Sequence, residues 1–305
     1  VFVTAAFAFA GTELVGLAAA ETANPRKSLP TAVKQVFWRI TLFYIVSLTL
    51  IGLLVKHTDD RLLNGSSGVD AKASPFVIAI TDAGIKALPS IMNGVIMIAV
   101  LSVGNSSVYG SSRTLAALAE QGQAPRIFAY IDRGGRPMAG IALSAVLGLL
   151  AYLAASDKQG EAFTWMLAIS GLSSIFTWGS ICLAHIRFRH GWKKQGHTLD
   201  ELAYTSQPGV VGSYLGFALN CLVLIAQFWV AVWPVGGKPS ARGFFSVYLA
   251  VPIVLTFYFP YKIYYKTPFI RSMHMDLVSG RRELDLDQIL AEERAERASW
   301  PAWKR

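Results

Sequence analysis

The stretch Leu88-Pro-Ser-Ile-Met-Asn-Gly-Val-Ile-Met-Ile-Ala-Val-Leu-Ser-Val-Gly-Asn-Ser-Ser-Val-Tyr-Gly-Ser-Ser112 contains no Asp, Glu, Lys or Arg. A helix that crosses a bilayer needs about 20 mostly apolar residues, because in hydrocarbon each backbone N–H and C=O must be bonded within its own segment. Residues 88–112 meet that length. So do 36–55, interrupted only by Arg39, and the charge-free runs 137–155, 163–184, 210–237 and 244–261. Residues 1–20, apolar apart from Glu13, make a seventh. The pattern predicts an all-α polytopic membrane protein. Its membrane region covers residues 1–266, with spans at 1–20, 36–55, 88–115, 137–155, 161–187, 211–234 and 244–265, and a charged tail follows over 267–305.

The rest of the composition agrees. Of 305 residues, 53% are hydrophobic and 15% charged, against about 25% charged in an average soluble domain. Disorder is excluded by the same numbers. Cys182 and Cys221 both sit in apolar runs, so neither a disulfide framework nor a C-x-x-C metal site is expected, and packing is their role. The net charge of +9 (28 − 19) is spread over separate loops, which argues for a membrane protein and against a nucleic-acid partner.

Lys and Arg favour the cytoplasmic side of a membrane. One alternating set of connectors carries Arg26, Lys27, Lys34 and Arg39, then Arg113, Arg126, Arg133 and Arg136, then Arg187, Arg189, Lys193 and Lys194. In the other set the connector 56–86 matches its four cations with four Asp. The first span therefore enters the cytoplasm at Glu21, and the tail is cytoplasmic. Asn64-Gly65-Ser66 is a glycosylation sequon on the outer side. No initiating methionine or cleavable signal opens the sequence, which reads as a fragment.

Polar groups at membrane depth are costly and mark cavities or pathways. Three places carry them. Phe9-Ala10-Gly11-Thr12-Glu13 puts a glycine and a carboxylate in mid-span, where a local break would leave backbone groups to bind a charged ligand; close packing through small residues is the competing reading. Ser102, Asn105, Ser106, Tyr109 and Arg113 recur at steps of three and four and share one helical face. Ser170-Gly171, with Ser173, Ser174 and Thr177, forms a third polar face.

Phe9-Ala-Gly-Thr-Glu-Leu-Val-Gly-Leu-Ala-Ala-Ala-Glu-Thr-Ala-Asn-Pro-Arg-Lys-Ser-Leu-Pro30 resembles the sixth spanning helix and following loop of fungal amino-acid permeases, which are amino acid–polyamine–organocation transporters. Leu101-Ser-Val-Gly-Asn-Ser-Ser-Val-Tyr-Gly-Ser-Ser-Arg-Thr-Leu-Ala-Ala-Leu-Ala-Glu-Gln-Gly-Gln-Ala-Pro125 is similar to their eighth helix and its connector. Ser170-Gly-Leu-Ser-Ser-Ile-Phe-Thr-Trp178 with His185-Ile-Arg-Phe-Arg189 resembles the tenth, and Ser279-Gly-Arg-Arg-Glu-Leu-Asp-Leu-Asp287 resembles the tail of general amino-acid permeases. The resemblance implies the second half, helices six to twelve, of an inverted-repeat, LeuT-like transporter of twelve helices.

It also implies amino-acid transport, by proton symport and with a broad neutral range, across the plasma membrane. Carried over residue by residue, Ala10, Gly11 and Thr12 would offer carbonyls to the substrate ammonium and Phe9 would gate the pocket. Glu13 is the candidate for proton coupling, while Asn105, Ser106 and Ser170 would line the side-chain end. The substrate carboxylate would bind in the other half. Amino acid, protons and the lipid bilayer are the implied partners, with no cofactor, no metal and no catalytic residue. An amino-acid sensor of the same fold, without net transport, is the alternative. A seven-helix receptor fits the span count, and it is the permease motifs, more than the polar faces or the loop charges, that argue against it; no hydrolase or metalloprotease motif supports an intramembrane enzyme.

Two further segments carry expectations. Residues 74–86 read as a short helix over the outer vestibule, and 125–130 as a short cytoplasmic one. The tail stretch 283–298 reads as an amphipathic helix, and Ile289-Leu290 after acidic residues offers a handle to cytosolic trafficking machinery.

Overall fold

The structure, a computed structural model, describes residues 2–18, 25–64, 74–85, 87–155, 158–202, 205–234 and 236–279. Every regular element among them is helical. The expected cytoplasmic entry at Glu21, the sequon residues Gly65 and Ser66, the tail helix at 283–298 with Ile289-Leu290, and most of the motif 279–287 lie outside the described residues. The chain divides into two compact units, Val1–Gly171 and Leu172–Arg305, with the boundary inside one continuous helix.

In the first unit, α1 (Phe2–Ala6) runs into a 3-10 turn at Phe7–Phe9, a break, and α2 (Leu14–Ala18). Then follow α3 (Pro25–Leu54), α4 (Asp60–Asn64), α5 (Pro75–Asp82) and α6 (Leu88–Glu120). A 3-10 turn at Arg126–Ala129 stands where a short helix is expected. After it, α7 (Met138–Gly148) tightens into 3-10 geometry over Leu149–Ala155, and α8 (Gln159–Lys194) begins. The second unit holds the remainder of α8, then α9 (Gly209–Val232), α10 (Ala241–Tyr248) and α11 (Ala250–Tyr264).

Among the described residues, four stretches are long and apolar enough to cross a membrane: Ser28–Leu54, Leu88–Glu120, Gln159–Lys194 and Gly209–Val232. The pair α10 and α11 passes the same test together but bends by 70°. Their outer surfaces are apolar. Leu53 is 79% exposed, Leu101 65% and Leu215 68%, an arrangement costly in water and natural against lipid.

Helices extend beyond the apolar runs because backbone hydrogen bonding continues where hydropathy ends. Pro25 occupies the first position of α3, where its missing N–H costs nothing. Pro30 lies inside α3, so Arg26, Lys27 and Lys34 belong to the helix instead of to a connector. At the other end of the chain, Pro252 follows the junction of α10 and α11. It has no N–H to bond Tyr248, and its ring opposes that carbonyl, which explains the bend at Leu249.

Within the first unit, α6 and α7 approach through small residues. A Cβ on Gly140 would stand 3.0 Å from Ser112 Cα, and the Ser111 and Ser144 hydroxyls lie 3.2 Å apart. This is the packing mode of helices that have no hydrophobic effect to drive them together.

Candidate functional site

The break in the first helix is set by two residues. Ala10 turns to extended geometry (φ −60°, ψ 136°), and Gly11 adopts φ +88°, a left-handed conformation that disfavours any residue with a Cβ. Beyond it the chain tightens. The Leu14 amide donates to the Gly11 carbonyl at 3.1 Å and the Val15 amide to the Thr12 carbonyl at 3.4 Å. Among the described residues, no backbone amide donates to the Ala10 carbonyl. Of the three carbonyls singled out in sequence, this one accepts no backbone bond from a described residue, and it stands at the negative end of the half-helix.

Both pieces of the broken helix are held by glycines on neighbouring helices of the first unit. On α8, a Cβ at Gly171 would stand 2.5 Å from Val3 Cγ1 and 2.9 Å from Phe7 Cε2. On α6, a Cβ at Gly110 would stand 2.6 Å from Leu14 Cδ2. The break thus lies between α6 and α8, with Ser170 next to the Gly171 contact and Ser106 one turn from Gly110. Phe9, 42% exposed, stacks on Tyr44 of α3 with ring centroids 6.5 Å apart. Glu13 is half-buried.

Asn105 and Ser106 open onto a separate cavity of about 330 Å³. It lies between α6 and the start of α7, with Tyr109, Ser112, Pro137 and Ile141 among its walls; none of Phe9 to Glu13, nor Ser170, lines it. The Ser106 hydroxyl donates to the Ser102 carbonyl at 3.0 Å, the back-bond that serines make within helices. The positive end of the cavity is shaped by Arg113, stacked over the Tyr109 ring at 4.6 Å, and by Arg136, paired with Asp132 at 3.1 Å. The Arg136 amide, 2.7 Å from Asp132 Oδ1, leads the contacts that hold the Asp132 carboxyl below its ordinary range.

Sequence reading missed one participant in the site and, elsewhere on α6, one orphaned polar atom. Tyr44 sits in a run of aromatic and aliphatic residues on α3, and nothing in that run distinguishes the ring that meets Phe9. Asn93 looks like a simple polar interruption, yet its Oδ1 is buried without a hydrogen-bond partner among the described residues. Cys182 and Cys221 are free thiols, and no group of His, Cys, Asp or Glu among the described residues is placed to hold a metal ion.

The chain matches the amino acid permease family over residues 1–272. It is 64% identical over 310 residues to the general amino-acid permease GAP2 of Candida albicans, covering 100% of this chain and 53% of that protein. The general amino-acid permease GAP1 of Saccharomyces cerevisiae is 59% identical over 310 residues, 100% of this chain and 51% of the relative. The histidine permease of the same yeast is 51% identical over 300 residues, 97% of this chain and 50% of the relative. The chain therefore spans about half the length of the curated relatives it matches. No solved structure matches it.

Proposed function

The chain belongs to the amino acid permease family, and from that premise we propose that it forms the second half of a proton-coupled amino-acid transporter of the plasma membrane, with a broad range of neutral substrates. The observation that carries this reading is the open Ala10 carbonyl beside Gly11, in a break suspended between α6 and α8. A half-helix C-terminus with an available carbonyl suits an ammonium group. In this reading Gly11 and Thr12 complete the ammonium site and Phe9, on Tyr44, closes over it. Ser170, Ser106 and Asn105 meet the substrate side chain, the latter two through the adjoining cavity. The carboxylate is bound by the half of the transporter outside this chain.

Transport requires only that the site open alternately to each side, with proton and substrate biasing the same equilibrium. Glu13, next to the break, takes up and releases the proton. One charge moved down the membrane potential supplies about 2.3 kcal/mol per 100 mV, enough to concentrate a zwitterion several-tenfold at physiological potentials. The tail over 267–305 faces the cytosol and offers Ile289-Leu290 to the trafficking machinery.

The test is uptake of labelled amino acids by permease-deficient yeast at acid and neutral external pH. The chain is expressed by itself and joined behind the first half of the Candida relative. Uptake by the joined protein, stronger at acid pH and abolished by Glu13→Gln at unchanged surface abundance, is the expected result. A joined protein that reaches the surface, binds amino acids and takes none up would overturn transport, and pH-independent uptake would overturn proton coupling.

A further inference from the structure

In the second unit, α8 and α9 lie against each other through a series of close contacts. A Cβ on Gly179 would stand 3.6 Å from Asn220 Cβ, and one on Gly216 would stand 3.0 Å from Cys182 Sγ. One turn further, His185 Nδ1 lies 2.7 Å from Ser213 Oγ. Past that bond the pair opens. A cavity of about 460 Å³ occupies the fork, within the roughly 300–1,000 Å³ of sites that hold small ligands.

One wall of the fork is basic. Arg189, His190 and Lys193 of α8 all line it, and among the described residues none of the three has an ion-pair partner. Arg189 and Lys193 are one turn apart on the same helix face, where like charges repel unless an anion lies between them. The carboxylate nearest in sequence that the structure describes, Glu201, is engaged: it takes His197 Nδ1 at 2.8 Å and the Thr198 amide at 2.7 Å.

The opposite walls are apolar or aromatic. Ile186, Leu199, Val210 and Tyr214 provide them. The connector after α8 is fixed as a wall and does not simply pass by. Trp192, 1% exposed, donates its indole N–H to the Thr198 carbonyl at 2.7 Å and stacks on His197 with centroids 4.2 Å apart. From the mouth of the fork, α9 carries Val211, Leu215, Leu219 and Leu222 at helical spacing, each at least 60% exposed.

We propose that this fork binds the headgroup of an anionic phospholipid, with the phosphate on Arg189 and Lys193 and an acyl chain along the exposed apolar stripe of α9. The charge selects an anion. The apolar walls, the Tyr214 ring and the position at the basic end of a membrane-spanning helix select a lipid over a soluble phosphate, since basic pockets between spanning helices are suited to acidic headgroups.

The test uses the full chain in nanodiscs of phosphatidylcholine containing a minor fraction of phosphatidylserine with a photoreactive headgroup, followed by peptide mapping of the label. Labelling should fall on residues 186–199. It should drop by about twenty-fivefold in R189Q/K193Q, roughly fivefold for each cation removed, and persist in R189K/K193R, which separates loss of charge from loss of fold. Label of equal strength in the R189Q/K193Q protein, or on a photoreactive phosphatidylcholine, overturns the proposal. So does displacement of the label by inorganic phosphate, which would make this a soluble-anion site.

Discussion

Leu14 of α2 lies so close over Gly110 of α6 that a Cβ at position 110 would meet its Cδ2 methyl at 2.6 Å. The corresponding contact of the other half of the broken helix is on α8, where Val3 and Phe7 cover Gly171. Each piece thus has its own anchor, and the break between them joins two separately seated segments.

The two anchors should differ in tolerance. At Gly110 the obstructing atom is the end of a flexible side chain, so Gly110→Ala should be mild. Gly171→Val must displace both Val3 and the Phe7 ring, and should cost about 1–3 kcal/mol, the usual range for overpacking. Thermal unfolding of the detergent-solubilised protein, read beside uptake, checks the order.

Gly11 and Gly16 form a second contrast a few residues apart. At φ +88° an alanine carries a penalty of roughly 1–2 kcal/mol, and relief of that strain would close the break. Gly11→Ala should therefore abolish uptake while leaving the protein folded. Gly16→Ala adds its methyl in open space on α2 and should be neutral or stabilise by about 0.5–1 kcal/mol. Equal uptake by the two variants would show that the break is dispensable.

Outside the spans, Arg61 clasps Asp59 and Asp82 at 2.8 Å each, tying the start of α4 to the end of α5. Hydrogen bonding to Arg61 holds both carboxyls below their ordinary 3.8. A depressed carboxyl contributes stability that is present above its unfolded value and lost as pH falls through the folded one. The clasp should hold at pH 5 and release only below 3.8. Hydrogen exchange of the Arg61 amide, which donates to Asp59 Oδ1 at 2.9 Å, should stay protected to that point after correction for intrinsic rates. In Arg61→Gln the protection should be gone at pH 5 as well.

The segment after α11 is strapped across the end of α8. Gln195 donates its amide to the carbonyls of Ser272 and Met275, at 3.1 and 2.9 Å. Arg187 donates to the Ile270 carbonyl and sits 4.5 Å from the Phe269 ring centroid. Gly191 lies beneath, where a Cβ would stand 3.3 Å from the Ser272 carbonyl oxygen and 3.2 Å from Met275 Sδ. Gly191→Val and Gln195→Ala should both loosen the strap, and trypsin should then cut after Arg271 several times faster than in the unsubstituted protein. Unchanged cleavage in both variants would mean that the strap does not depend on these contacts.

Much of this protein was legible without coordinates because a bilayer imposes a strict composition. Runs such as 88–112 had to be spanning helices once backbone bonding in hydrocarbon is required, and Gly11 beside Glu13 in such a run marked the break. The family motifs around Phe9, Leu101 and Ser170 pointed to the permeases through residue order alone. Tertiary structure decided the rest. It carried α3 back through Pro30, bent α10 from α11 by 70°, and turned Asn105 and Ser106 towards α7. It also closed the fork at Arg189 and Lys193 with a connector pinned by Trp192. The physical reason is range: hydropathy and glycine act on their own segment, whereas a cavity or an anchor exists only where side chains far apart in sequence are brought within a few ångströms.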